Sequence, residues 1–305
     1  MRGHREGRSV WADISYLAPC SHINRRFAAP GAEVNTGTYE MHRMEVRDGR
    51  GISEQFSLDR QGFVLARHES AVRDFFDKEE VDAVYPDEVE EIVRRLTGAD
   101  LVAKRGWMVR TSGDRAKTQR KVPGYTHSGG VQPPASEAHV DYAPEQAERM
   151  ARQIFAQDFP GEKGYTRFIA SSLWRTFSTP PQDWPLALCD GSTVAREDGT
   201  TNALIVVDAI PDRDAMLGPW PDEETAIKAA IFRHNPKHRW WYFSSMHRDE
   251  VILLKFHDSD SNSALRVPHT AFHDPSFPDA HPRSSIEFRT FAYFLQEKVS
   301  GLFSD

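Results

Sequence analysis

From Tyr165 to Phe294 the chain is broken into short apolar runs of sheet period, and that pattern restricts the fold more than any other feature. Residues 168–177, 184–189, 203–209, 240–244, 251–256, 265–272 and 286–294 are each rich in β-branched or aromatic side chains, and each is bounded by Pro, Gly, Asp or Ser. With a strand around His139, about eight strands are expected. Ahead of them lie helical signals. Residues 77–85 read as a short helix, Pro86 restarts a second, and its stripe Tyr85, Val89, Ile92, Val93 and Leu96 ends at Gly98. Pro144 opens another, with Ala147, Met150, Ala151, Ile154 and Phe155 on its buried side. Residues 222–234 start acidic and continue with Ala226, Ile227, Ala230 and Ile231, which predicts a helix inserted between strands. The implied fold is mainly β with an outer helical layer, built on a closed or double-sheet core.

The first fifty residues, punctuated by Pro19, Pro30, Gly31, Asn35 and Gly37, read as irregular chain wrapping the outside. Residues 111–135 are polar, rich in Gly, Pro, Lys and Arg and without period, so they form a long loop or lid. No linker or internal repeat interrupts the rest. One domain over 1–305 is expected, with a helical and irregular part at 1–110, the lid at 111–135 and the core at 136–296.

A net charge of −7 gives no electrostatic support to nucleic acid or an anionic membrane as partner. No apolar run approaches the roughly 20 residues that span a bilayer. The basic start, Met1 to Arg8, lacks the apolar stretch of a signal peptide. The two cysteines, Cys20 and Cys189, stand far apart, so a disulfide framework is not expected and the cytoplasm is the expectation. The run Trp240-Trp241-Tyr242 would serve a pocket mouth or a dimer contact, which leaves the oligomeric state open.

Within Ser136-Glu137-Ala138-His139-Val140-Asp141-Tyr142, a His-x-Asp places an imidazole and a carboxylate on one side of a strand. Two imidazoles and one carboxylate on one face of a metal are the ligand set of non-haem Fe(II) oxygenases, the opposite face staying open for co-substrate and dioxygen. Jelly-roll barrels of the cupin kind bring the distal histidine from the next-to-last strand. His269 fits that order. His273 is the alternative distal ligand, but Asp274-Pro275 ends the strand directly after it. On the last strand Arg283, Ser285 and Arg289 share one face, with Ile286, Phe288 and Phe294 on the other. An arginine fork followed by a hydroxyl is what the far carboxylate of 2-oxoglutarate needs. Arg110 and Arg175 are candidates for holding a carboxylate on the substrate.

An ordered series of motifs carries a family resemblance over nearly the whole chain after residue 55. It runs through Ser57-Leu58-Asp59-Arg60-Gln61-Gly62-Phe63, Tyr85-Pro86-Asp87-Glu88-Val89, His139-Val140-Asp141-Tyr142, Leu173-Trp174-Arg175 and Pro185-Leu186-Ala187-Leu188-Cys189-Asp190. It ends in Phe256-His257-Asp258-Ser259, Pro268-His269-Thr270-Ala271-Phe272 and Arg283-Ser284-Ser285-Ile286-Glu287-Phe288-Arg289. The chain resembles the family of iron-dependent oxidoreductases that includes the AsaB hydroxylase/desaturases, the gibberellin desaturase of fungi and the cephem methoxylation protein CmcJ. The resemblance implies a double-stranded β-helix oxygenase of secondary metabolism using Fe(II), 2-oxoglutarate and O2. It also implies His139, Asp141 and His269 as iron ligands, and it draws Trp174 in as a substrate residue. Thr176 stands where the family usually has Pro, and His257 where Tyr is common. Members hydroxylate, desaturate or cyclise. The rival expectations are a metal-dependent oxygenase without 2-oxoglutarate, an accessory barrel supporting a partner enzyme, and a binding barrel for an apolar ligand.

Overall fold

The computed structural model describes residues 9–30, 32–114 and 131–296. Its strands, in chain order, are β1 (Ser9–Leu17), β2 (Arg25–Ala29), β3 (Ala32–Asn35), β4 (Tyr39–Asp48), β5 (Phe63–Arg67), β6 (Leu101–Thr111), β7 (Val131–Gln132) and β8 (His139–Val140). They continue as β9 (Tyr165–Thr176), β10 (Leu186–Cys189), β11 (Gly199–Val206), β12 (Ile227–Phe232), β13 (Trp240–Tyr242), β14 (Glu250–Asp258), β15 (His269–Ala271) and β16 (Ser284–Leu295). Helices α1 (Lys78–Thr97), α2 (Pro144–Asp158) and α3 (Arg213–Leu217) complete the elements used below. One sheet has ten strands in the order β1-β4-β13-β10-β15-β8-β12-β11-β2-β3, and the other has six, β5-β14-β9-β16-β6-β7. This is the mainly β, double-sheet architecture with helices outside that the strand pattern implies.

The principal core includes Ile14, Tyr16, Val140, Leu188 and Trp240 from the larger sheet and Ile252, Leu254, Phe256 and Phe291 from the smaller. A second core lies under α1, whose Val81, Tyr85, Val89, Ile92 and Val93 cluster with Leu173, Leu253, Ile286 and Phe288. The pleat therefore divides β9 and β16 between two environments, and alternate residues face α1 or the space between the sheets.

Three expectations need correction. The first fifty residues are not an irregular wrap: they form β1 to β4. Alternation in β1 buries Val10, Ala12, Ile14 and Tyr16, whereas β4 buries only Val46 and so shows no apolar period. The Pro and Gly residues mark turns between these strands. Residues 222–234 are not a helix. Glu223–Thr225 makes one 3-10 turn, and β12 then pairs with β8 and β11 inside the sheet. An interior strand covered on both faces tolerates neighbouring apolar residues, and Ala and Ile in that order imitate helical spacing.

The two helices expected around Pro86 are one, α1, which continues through the proline. Asp77 caps its first turn by accepting from the backbone N–H groups of Glu79 and Glu80, and Gly98 ends it in the left-handed conformation. An interior proline costs about 3 kcal/mol. Five buried side chains on both sides of it, at about 1.5–3 kcal/mol each, outweigh that.

Gly62 connects the fold to the site. Its φ of +84° suits glycine, and a Cβ there would lie 2.5 Å from Val267 Cγ2. Val267 in turn offers its carbonyl to the ring of His269. Gly62→Ala is expected to destabilise the fold by about 1–3 kcal/mol in chemical denaturation, through strain and overpacking beneath His269.

Candidate metal centre

Backbone pairing creates the site. The two-residue strand β8 lies between β12 and β15, and His139 is directly opposite His269 across the antiparallel β8–β15 pair. Their ring centroids are 4.4 Å apart. Asp141 follows β8, and its Oδ1 lies 3.5 Å from His139 Nε2 and 3.6 Å from His269 Nε2. One donor atom from each of the three residues falls within 4.8 Å of the others. No other group of three such side chains occurs among the described residues.

Each imidazole is tethered from behind. His139 Nδ1 bonds the Glu137 carbonyl at 2.8 Å, and His269 Nδ1 bonds the Val267 carbonyl at 3.1 Å. A carbonyl only accepts, so these bonds assign the proton to Nδ1 and leave the Nε2 lone pair facing the shared centre. Metal-ligating histidines carry this outer hydrogen bond, and the nitrogen and carboxylate donor set fits ferrous iron.

Burial would raise the Asp141 pKa, but the Arg289 charge and then both imidazoles hold it well below the usual carboxylate range. Burial pulls His139 down, yet Asp141 leaves it above the ordinary histidine value, while burial and the neighbouring His139 leave His269 below it. A metal therefore competes with a proton on His139. Since that pKa is raised, metal affinity is expected to weaken on acidification, beginning above pH 6.5, with proton release on metal uptake seen by calorimetry in buffers of different ionisation enthalpy.

The opposite wall comes from the six-stranded sheet. Arg110, Ser172, Trp174, Leu254, Phe256, Arg283 and Glu287 line the pocket together with both histidines. Arg283 is 1% exposed and meets no carboxylate at ion-pair distance among the described residues. It donates from Nη1 to the Trp184 carbonyl at 2.8 Å, lies 5.7 Å from the Trp174 ring centre, and has no partner for Nε among the described residues. Burial, followed by the charge of Arg110, pushes its pKa down to about 9. Ser285 and Ser172 are also buried with hydroxyls that lack a partner among the described residues. A buried cation with no carboxylate partner among the described residues, beside hydroxyls that also lack one, favours an anionic ligand.

The other expected site residues separate. Arg289 shares the face of Arg283 but is engaged by two carboxylates, Asp141 at 2.6 Å and Glu287 at 3.0 Å. Arg110 reaches the pocket and pairs with Glu287 at 3.0 Å. Trp174 lines the pocket. Arg175, of opposite parity, is fully buried on the α1 side of the sheet, where it bonds the carbonyls of His68 and Arg248 between the rings of Phe75 and Tyr85. It does not reach the pocket. His273 is exposed beside Trp184, away from Asp141. Trp240 and Tyr242 are core residues rather than a pocket mouth, and Trp240 donates to the Tyr16 hydroxyl at 2.7 Å. His257 is buried, stacks on Phe168 and meets Glu148 at 3.2 Å. Residues 115–130 of the expected lid, including His127, lie outside the described residues.

Glu287 joins the pocket lining, because it shares parity with Arg283, Ser285 and Arg289 and so stands on the same face of β16.

A family model described as an oxidoreductase/YMDC permease-like domain matches residues 14–293. Hydroxylase/desaturase CTB9 of Cercospora beticola is 32% identical over 269 residues, covering 86% of this chain and 79% of that protein. Alpha-ketoglutarate-dependent dioxygenase phiK of Fungal sp. (strain ATCC 74256) is 30% identical over 295 residues, covering 93% and 96%. Among solved structures, the iron and alpha-ketoglutarate-dependent endoperoxidase NvfI superposes with a TM-score of 0.76 at 24% identity, over 96% of this chain and 100% of that one, which shows a shared fold.

Proposed function

The chain belongs to the hydroxylase/desaturase family of non-haem Fe(II)/2-oxoglutarate-dependent oxygenases, and we propose that His139, Asp141 and His269 hold its iron while it oxidises an unactivated C–H bond of a small secondary-metabolism substrate. The observation that carries this reading is the convergence of two tethered imidazoles on one oxygen of Asp141, in a pocket whose far wall holds an arginine with no carboxylate partner among the described residues. Iron, 2-oxoglutarate and dioxygen together supply the oxidising power. The protein supplies ligand geometry, orientation and exclusion of water.

Arg283 takes the far carboxylate of 2-oxoglutarate, with the Ser285 hydroxyl donating beside it. This gives the buried guanidinium the anion it lacks. Trp174, stacked against Arg283, together with Leu254 and Phe256, gives the substrate an apolar surface. Arg110 borders the same space, although its bond to Glu287 makes it a shared rather than a free cation. Hydroxylation, desaturation and oxidative cyclisation all begin with the same hydrogen abstraction. The arrangement supports a single domain, since both sheets supply pocket residues. No helix of the described residues is long and apolar enough to cross a membrane, and two free cysteines suit a cytoplasmic enzyme.

The test is turnover by the purified protein alone. With Fe(II), ascorbate and 2-oxoglutarate, succinate release should keep step with loss of substrate and stop when a chelator is added. Substrate conversion without succinate would point to an oxygenase of another kind. An absence of turnover that a second protein restores would favour the accessory reading.

A further inference from the structure

We propose that Arg289 is a positioning residue for the metal ligand Asp141, braced by Glu287 and Arg110, rather than an anchor for co-substrate. The inference rests on the iron reading above. Asp141 presents its two oxygens differently: Oδ1 faces both Nε2 atoms at 3.5 and 3.6 Å, and Oδ2 accepts from Arg289 Nε at 2.6 Å. That charge-assisted bond withdraws one oxygen from the centre and stops the carboxylate from rotating. Arg289 is itself held, because its Nη2 donates to Glu287 Oε1 at 3.0 Å. The other oxygen of Glu287 accepts from Arg110 Nε at 3.0 Å, and Arg110 Nη1 donates to the Pro133 carbonyl at 3.1 Å.

The four side chains alternate in sign, from Arg110 through Glu287 and Arg289 to Asp141, and form one largely buried chain from the pocket wall to the ligand. Their charges cancel. Both charges that face Arg289 are carboxylates of the protein, whereas Arg283 meets no carboxylate among the described residues and is the one open to 2-oxoglutarate. A residue that orients a ligand typically changes metal affinity ten- to a hundredfold when removed. Lysine would keep the charge, but its single ammonium lacks the planar fork that serves both carboxylates.

The experiment titrates metal-free wild type, Arg289→Lys, Arg289→Gln and Glu287→Gln with Co(II), following visible absorption and the melting temperature with and without metal. 2-Oxoglutarate affinity is then measured at saturating Co(II). The expected result is a Co(II) affinity about ten- to a hundredfold weaker in Arg289→Gln, with an altered Co(II) spectrum. Arg289→Lys and Glu287→Gln should fall between it and wild type, and 2-oxoglutarate affinity should stay within about threefold once metal is saturating. Unchanged Co(II) affinity in both Arg289 variants, with weakened 2-oxoglutarate binding, would overturn the proposal and return Arg289 to co-substrate recognition. Weak metal binding in Arg289→Gln explained by a lowered metal-free melting temperature would overturn it too if Arg289→Lys, folded like wild type, bound Co(II) normally. Failure of wild type to bind Co(II) would instead remove the iron reading itself.

Discussion

His269→Ala should give a protein that folds, binds little Fe(II) and shows no visible charge-transfer band when titrated anaerobically with Fe(II) and 2-oxoglutarate. Loss of an outer hydrogen bond to a ligand already costs ten- to a hundredfold in affinity, so loss of the ligand itself should exceed about a hundredfold. His269 is the informative choice of the three. Truncating Asp141 would leave Arg289 and Arg110 sharing the single carboxylate of Glu287, one positive charge in excess in a largely buried site, a change that destabilises by about 3–5 kcal/mol and mixes folding with binding. Among the described residues the His269 ring bonds a carbonyl behind it, faces the shared centre in front and stacks on Phe256, with no charged partner other than Asp141. His273→Ala provides the control. It is exposed and stands against Trp184, so its variant should keep the band. A band retained by His269→Ala and lost by His273→Ala would reverse the assignment.

The second large effect is expected at Arg283. Truncating one partner of a buried charge-assisted pair costs about 2–5 kcal/mol, which corresponds to a rise of at least about thirtyfold in the 2-oxoglutarate concentration needed for half-saturation. In Arg283→Ala the charge-transfer band should therefore return at high 2-oxoglutarate, because the iron ligands are intact. Arg283→Lys should recover part of the loss, having charge but no fork. The apparent stability of the protein without co-substrate moves the other way. Arg283 is buried without a carboxylate partner among the described residues, so Arg283→Met removes an uncompensated charge and is expected to unfold at the same or higher denaturant concentration than wild type. A variant that loses stability and leaves half-saturation unchanged would make Arg283 a structural residue.

The site was legible where local periodicity controls side-chain direction. His139 and Asp141 are two residues apart, and Arg283, Ser285 and Arg289 alternate with buried apolar neighbours, so parity alone set each group on one face. The same rule applied to Trp174 and Arg175 would have sent them to opposite faces, as the structure does. It would also have placed Glu287 beside the arginines. Parity does not say what a side chain meets. Arg283 and Arg289 look equivalent along the strand, yet among the described residues one meets no carboxylate and the other has two, because Arg289 stands two residues from Glu287 on its own strand and within reach of Asp141 from the facing sheet.

The helix expected at 222–234 failed for a related reason. Spacing of Ala and Ile is ambiguous between a helix face and an interior strand, and the backbone partners on β8 and β11 decide it. The strands at 9–48 were missed because β4 carries little apolar signal and gains its place by pairing with β1 and β13.

Alone, the amino-acid sequence determined the β-rich class, the strand bearing each candidate ligand and the face on which each stands, since those follow from local sterics and a two-residue repeat. Tertiary structure decided that His139 and His269 are cross-strand neighbours, that Asp141 divides its oxygens between them and Arg289, and that Arg283 meets no carboxylate among the described residues. Those facts depend on strand order and on two sheets facing each other, which no local pattern encodes.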